Sequence, residues 1–581
     1  MGPEIPSHQP GVVRYLRLLM GARQIRYRLF EGKRTLVALG TCVVILVIAA
    51  GGWFLSSRSD SNSPGPRRQL SGTVFGRACA LPPLYLERIW NGYDPALSQD
   101  ITIVPRQPNF LGSFNLTNHS GPWGYLQRVP LILYGPERIA SQGELNAEAS
   151  MVDVYPTVGR LLNVELEERE GRVLEEALLP APDEPRLVVV VVWDGAGRAT
   201  LDRWPGAWPN LQRMSTGGVS YTNATVGSSP SVTAPVHSTL GTGAYPKDHG
   251  ITGLRQRTDS GGVTEAFDNL STESLQLTTF ADQVDELLNN RPKVGMLAWI
   301  KWHLGMLGHG NALNGGDADE LGLIHYRDGV EVYASEAFQG VERLERVADP
   351  ADEIDTLDRE DGAVDGRWLG NDIALPEGEA PWNTYSNPAW VRFQADLAIS
   401  MLARGHYGRD SIPDLWFTNF KMSDVAGHSW GLDSEESRAV VEAQDEALGR
   451  ILDYLDEEVG DYVVVLTADH GATPLPTSTG AWPILQRELI LDIDGHFDIP
   501  DGESLIESSS AAGYFIDAEV PDKQDVSLDE ISAFVNDYTI GQNWTSNDLP
   551  PGYENRGTEQ VFSAAFPTEQ LDTIRTCANS K

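Results

Sequence analysis

"RLVVVVVWDG", residues Arg186 to Gly195, runs through five consecutive valines and ends on an aspartate. A second stretch of the same kind, "YVVVLTADHG" (Tyr462 to Gly471), ends on Asp-His-Gly. Valine-rich runs with no polar alternation fit strands buried on both faces, and such strands belong to parallel sheets covered by helices. These sheets carry their chemistry beyond the carboxyl ends of the strands, where both runs place acidic residues or histidine. "ESRAVVEAQDEALGRILDYLDEEV" (Glu436 to Val459) has helical periodicity and feeds the second run, and "DVYPTVGRLLNV" (Asp153 to Val164) also reads as a helix. The expected fold is α/β: a mostly parallel central sheet sandwiched by helices, preceded by one transmembrane helix.

That helix is read from the start of the chain. The first 34 residues are basic, with Arg14, Arg17, Arg23, Arg26, Arg28, Lys33 and Arg34 against Glu4 and Glu31. "TLVALGTCVVILVIAAGGWFL" (35–55) carries no charge and is long enough to cross a bilayer. The arginine-rich flank is expected in the cytoplasm and the rest outside, on an uncleaved anchor rather than a cleaved signal peptide. Residues 56–75 read as a linker and "PAPDEP" (180–185) as an exposed joint between 76–179 and 186–581. Within the latter, about 258–380 reads as an irregular, cap-like excursion. The balance of 44 Lys+Arg against 82 Asp+Glu excludes a phosphate backbone as partner, so no nucleic-acid binding is expected.

Four short motifs carry the chemistry. Asp194 follows its strand; Thr233 stands in "SPSVTAPVHSTLGTGAYPKDHGI" (229–251); Asp424 and His428 are four apart in "SDVAGHSWG" (423–431); Asp469-His470 follow the second strand. Carboxylates and imidazoles without thiolates suit zinc in catalytic sites. Two metals a few ångströms apart can clamp both oxygens of an in-line phosphoryl displacement, and a hydroxyl beside one of them becomes a nucleophile. Each motif alone has a plainer reading. Asp194-Gly195 can be strand-to-turn punctuation, Asp424 and His428 a one-turn pair, and Thr233 a helix cap ahead of Pro235. Their joint occurrence in this order is what points to a site.

In that order the motifs resemble the alkaline phosphatase superfamily, in its threonine-nucleophile branch of type I phosphodiesterases/nucleotide pyrophosphatases and Thr-type bacterial alkaline phosphatases. "WPNLQRMSTGGVSYTNATV" (208–226) resembles the segment leading to the nucleophile. A sulfatase is set aside, because Thr233 cannot become formylglycine and His237 stands where an arginine is required. The resemblance implies two zinc ions. One would be held by Asp194, Thr233, Asp469 and His470, the other by Asp424, His428 and a histidine near the chain's end. Only His496 follows Asp469, and it lacks the expected neighbours. "TNHSGPWGYLQRVPLILYG" (117–135) instead resembles the family's final histidine segment. The resemblance therefore implies a circular permutation, with His119 as the seventh ligand and His496 as the alternative.

Together with the anchor read from residues 35–55, the resemblance implies a membrane-anchored, extracytoplasmic phosphohydrolase acting on small phosphate esters through a phosphothreonine intermediate. Phosphodiesterase rather than monoesterase action is the alternative, and an inactive ligand-binding ectodomain the rival of another class. Lys301 and His303, in "AWIKWHLGMLGHG" (298–310), fall where relatives carry Lys-x-Arg against the phosphate, and Leu254 stands where many carry asparagine. A permutation would also bring Cys79 and Cys577, which flank the break, together as a disulfide.

Overall fold

The computed structural model describes residues 72–581 except 113–116, 120, 181–182, 327–329, 332–336, 342–346, 361, 374, 376–381, 518, 520–524 and 547. The expected cytoplasmic segment 1–34, the transmembrane segment 35–55 and nearly all of the linker 56–75 lie outside the described residues. Among the described residues no helix is long and apolar enough to cross a membrane.

Thirteen strands matter here. The first eight along the chain are β1 (Ile101–Pro105), β2 (Leu131–Tyr134), β3 (Gly143–Ser150), β4 (Leu187–Trp193), β5 (Val219–Thr225), β6 (Val294–Ala298), β7 (Asp319–Leu323) and β8 (Phe338–Gly340). They are followed by β9 (Asp414–Phe420), β10 (Tyr462–Thr467), β11 (Ile506–Ser509), β12 (Gly513–Ile516) and β13 (Phe562–Pro567). A nine-stranded sheet runs in the order β8-β7-β6-β9-β4-β10-β2-β5-β3. Every neighbouring pair is parallel except the two made by β2.

The two valine-rich runs lie side by side at its centre, β4 against β10 from Leu187–Tyr462 to Val192–Thr467. All seven side chains of β4 are fully buried. Each large apolar side chain removed from water in this way contributes about 1.5–3 kcal/mol, which is why an all-apolar strand is stable only at the centre of a covered sheet. The expected helices form as α2 (Val154–Leu161) and α7 (Glu435–Tyr454), the latter continued by one wider turn to Val459.

Strands on either side of the 180–185 joint share this sheet: β2 and β3 precede it, the other seven follow. The joint is clasped by Arg138, whose guanidinium donates to Asp183, the Glu184 carbonyl and the Asp461 carboxylate. The stretch 258–380 differs from its reading as an irregular excursion, because it supplies β6, β7 and β8. These are short, glycine-containing strands ("VGMLA", "DELGL", "FQG") that do not stand out beside the valine runs. The acidic part of this stretch folds into a helix, α5 (Pro350–Glu360), that buries Ile354 and Leu357.

A second sheet, β11-β12-β1-β13, is antiparallel and sets β1 between strands from the far end of the chain. Beside it pack α1 (Pro83–Asn91) and α9 (Leu571–Asn579), burying Leu86, Ile89, Leu571 and Ile574 in one cluster. Cys79 and Cys577 are bonded there, with Cα atoms 5.7 Å apart and 498 positions between them in sequence. Closing so long a loop removes chain entropy from the unfolded state. Cys79→Ser is expected to cost about 2–5 kcal/mol of stability, measured by urea unfolding under non-reducing conditions. A loss within error of zero would mean that the small sheet and its helices need no covalent tie.

Candidate active site

Strand order brings the motifs together. β9, β4 and β10 are adjacent and parallel, so their carboxyl ends form one ledge. Lys421 follows β9, Asp194 follows β4, and Asp469-His470 stand just beyond β10. Asp424 and His428 come from α6 (Met422–Trp430), which starts directly after Lys421; the i, i+4 spacing puts both on one face. Thr233 is the first residue of α3 (Thr233–Thr242) rather than its cap, and Val232 occupies the cap position without a side-chain bond. The Thr233 hydroxyl is therefore not spent on capping.

His119 arrives by a different route. β2 is antiparallel to β10, with Leu131 opposite Thr467, so its amino end lies at the carboxyl end of its neighbour. The loop leading into β2 reaches the ledge for that reason. It is fastened by Asn118 N donating to Thr473 Oγ1 at 2.8 Å and Thr473 N donating to the Asn118 carbonyl at 2.7 Å. Gly195 allows the close packing: its φ is +69°, and a Cβ there would lie 2.9 Å from the Asp424 Cα. Its N–H donates to Asp469 Oδ1 at 2.9 Å.

Two overlapping groups result. In the first, Asp424 Oδ1 lies 3.2 Å from His428 Nε2 and 3.8 Å from His119 Nε2. In the second, His470 Nε2 lies 3.6 Å from Asp194 Oδ1 and 3.3 Å from Asp469 Oδ2. Between them stands the Lys421 ammonium, donating to Asp424 Oδ2 at 2.8 Å, Asp194 Oδ1 at 2.9 Å and Thr233 Oγ1 at 3.2 Å.

The imidazoles are oriented for metal. Nδ1 of His119 faces the Ser231 carbonyl at 3.0 Å, that of His428 the Thr117 carbonyl at 2.9 Å, and that of His470 the Gly471 carbonyl at 3.0 Å. A carbonyl opposite Nδ1 fixes the proton there and turns the Nε2 lone pair toward the carboxylates, the arrangement that second-shell bonds give to metal-ligating histidines. Asp469 Oδ2 and His470 Nε2 are buried without a hydrogen-bond partner. Orphaned acceptors facing one another are costly unless a cation lies between them. Ligand atoms of His119, Asp424 and His428, and of Asp194, Asp424 and His470, fall within 4.8 Å of one another. The donor set thus fits divalent metal at both groups.

Charge in the metal-free cluster is unevenly shared. Burial, with Asp194 beside it, pushes the Asp469 carboxyl well above the carboxylate range. Burial acts the same way on Asp194, but the Lys421 ammonium overrides it and holds Asp194 low. Asp424 is held well below its ordinary value against burial by His428 and Lys421. Lys421 is itself raised, burial being outweighed by Asp194 and Asp424.

His303 is fully buried with Nε2 3.4 Å from Asp194 Oδ2, and its Nδ1 has no partner. His237 Nε2 is 2.9 Å from Asn419 Nδ2, which also donates to Asp194 Oδ2 at 3.3 Å. Lys301 is paired with Asp268, which is exposed, at 2.8 Å and with Glu265, which is half-buried, at 3.1 Å. His496 ends α8 (Gln486–His496), exposed, with its ring 4.6 Å from that of Phe534. Lys421, Asn419 and His237 were not assigned from sequence. A lysine directly after the apolar strand "DLWFTNF" and three residues before Asp424 was the available signal for Lys421.

A model of the Type I phosphodiesterase / nucleotide pyrophosphatase family matches residues 188–558. The chain is 26% identical to alkaline phosphatase PhoD of Zymomonas mobilis subsp. mobilis over 202 residues, 32% of this chain and 35% of that protein. It is 39% identical to alkaline phosphatase PhoK of Sphingomonas sp over 93 residues, 16% and 17% of the two chains. The match thus spans about a third of the length of the Zymomonas relative. Among solved structures, wild-type alkaline phosphatase PafA aligns with 67% of this chain and 85% of its own, at 19% identity and a TM-score of 0.48.

Removing a buried ammonium that two carboxylates share leaves their charge uncompensated. Lys421→Met is expected to destabilise the chelator-treated, metal-free protein by about 3–5 kcal/mol in urea unfolding. A change below about 1 kcal/mol would indicate that the carboxylates are neutralised by other means.

Proposed function

The chain belongs to the Type I phosphodiesterase / nucleotide pyrophosphatase family, and on that premise we propose that it is a metal-dependent phosphoric ester hydrolase with Thr233 as nucleophile. The observation that carries this reading is the Thr233 hydroxyl, 2% exposed at the start of α3 and 3.2 Å from the Lys421 ammonium, amid Asp194, Asp424 and Asp469. The metals are two zinc ions: one for Asp194, Thr233, Asp469 and His470, the other for His119, Asp424 and His428. When bound, such ions polarise phosphoryl oxygens and lower the pKa of hydroxyls beside them.

The chain's own groups have separate tasks. Thr233 Oγ1 forms a bond to phosphorus as the ester oxygen leaves, giving a phosphothreonine that water then hydrolyses, restoring the hydroxyl. The Lys421 ammonium donates to that oxygen and favours its deprotonated form. Pro235 has no N–H and Val236 N–H is bonded to the Val232 carbonyl, so the N–H groups of Thr233 and Ala234 are the first-turn donors that favour an anionic phosphoryl group there. Such fixed donors do the electrostatic work that phosphoryl transfer needs.

The substrate is a small phosphate ester. A phosphodiester is the second reading, and Lys301 favours it: with Glu265 and Asp268 neutralising its ammonium, little charge is left for the second anionic oxygen of a monoester. The catalytic part lies outside the membrane, anchored by residues 35–55. The Cys79–Cys577 bond supports this, since disulfides persist in oxidising compartments. We also read residues 76–179 as a transposed C-terminal part of the catalytic domain. Support comes from the family match, which begins at residue 188 and leaves out the segment carrying His119.

Thr233→Ala is expected to abolish hydrolysis of p-nitrophenyl phosphate and bis-p-nitrophenyl phosphate, with metal content unchanged. Retained turnover in that variant would remove Thr233 from the mechanism. Lys301→Ala is expected to leave the ratio of monoester to diester turnover within about twofold of wild type, a difference below RT in the barrier. A selective loss of monoesterase activity would reverse the assignment and give Lys301 a phosphate contact.

A further inference from the structure

A second acidic cluster lies apart from the catalytic ledge. Asp319 opens β7, Asp317 precedes it by two residues, and Asp285 lies near the end of α4 (Phe280–Leu287). One carboxylate oxygen of each falls within 4.8 Å of the others. Because β7 is parallel to β6, and β6 to β9, this is the amino edge of the sheet, opposite the ends that carry Asp194 and Asp469.

Acidic groups often gather on surfaces without a ligand, but this cluster is built differently. Asp285 is 5% exposed and Asp319 7%. Asp285 Oδ1 is buried with no hydrogen-bond partner. Among the described residues, no hydrogen bond or ion pair reaches the Asp319 carboxylate. A buried carboxylate is ordinarily paired or hydrogen-bonded, because its desolvation is otherwise uncompensated.

The nearest other charges do not supply a partner. Asp282 adds a further negative charge, and its oxygens are taken by Thr279 N and by His309 N and Nδ1. Burial and the neighbouring aspartates push Asp285 up to about 7 and Asp319 well above its ordinary value. The loop carrying Asp317 is clasped by Asn290, whose Nδ2 donates to the Gly315 carbonyl at 2.8 Å. The carboxylates are thereby held near one another by α4, the loop and β7, and their mutual repulsion is relieved either by protonation or by a shared cation.

We propose that Asp285, Asp317 and Asp319 form a calcium site that ties the end of α4 to the loop entering β7. The donors are all carboxylate oxygens with no imidazole or thiolate, the set that selects a hard cation over zinc. Asp317 is exposed, which leaves one side of the site open to water ligands. Its place at the amino edge of the sheet makes it a stabilising site, and nothing in its geometry couples it to Thr233.

The test uses the full-length protein, freed of metal by chelation and titrated with calcium chloride while thermal unfolding is followed. Wild type is expected to gain several degrees in melting temperature at millimolar calcium, and to sensitise terbium luminescence that calcium displaces. Asp317→Asn, an exposed substitution that leaves the buried packing intact, is expected to lose most of the shift, and Asp319→Asn all of it. Asp424→Asn, in the catalytic cluster, is expected to keep the shift. A wild-type protein that does not respond to calcium, or a response that survives in Asp317→Asn and Asp319→Asn, would overturn the proposal.

Discussion

Asp194, Asp424 and Asp469 converge beyond the ends of three neighbouring strands, almost out of contact with water. Two unit charges about 4 Å apart repel by roughly 4 kcal/mol at the effective dielectric of a protein surface, and by more where water is excluded. Neutralising this cluster is the constraint that the rest of the ledge answers. Lys421 bonds Asp194 and Asp424 at once, Gly195 N–H takes one oxygen of Asp469, and three imidazoles turn their Nε2 atoms inward. Two unpaired atoms of the cluster, Asp469 Oδ2 and His470 Nε2, mark where a divalent cation would complete the balance.

The sheet makes this convergence possible. Parallel neighbours end at the same level, so residues from β4, β9 and β10 meet although they are far apart in the chain. β2 is the exception that completes the site. Running antiparallel, it presents its amino end where the others present their carboxyl ends, and the loop before it carries His119 onto the ledge. The backbone then binds across that distance: the Thr117 carbonyl accepts from His428 Nδ1, 311 positions away.

The same long-range logic recurs at the second sheet. β1 lies between β12 and β13, and Cys79 is bonded to Cys577 beside the packed helices α1 and α9. Segments from the two ends of the described chain therefore form one structure. An arrangement so dependent on distant contacts carries a high entropic cost of closure, which a covalent bond from the segment before α1 to α9 offsets.

The sequence alone determined the parts whose signal is local. Five consecutive valines are stable only inside a covered sheet, so β4 and β10 and the position of Asp194, Asp469 and His470 at their ends were legible. The Asp424–His428 pair followed from helical spacing, and Thr233 and His119 from motifs. The edge strands β6, β7 and β8 were not legible, because short glycine-containing strands acquire their identity from the neighbours they pair with. Lys421, Asn419 and His237 were missed for a related reason. A lysine after a strand is ordinarily a solvated residue, and only the order β9-β4-β10 encloses this one among carboxylates. Likewise nothing in "DADE" separates a buried aspartate from an exposed one until α4 and β7 close over Asp285 and Asp319. Residue type and spacing fixed which groups were available for chemistry. Burial and partnership, which decide what charge those groups carry, exist only once the strands are in order.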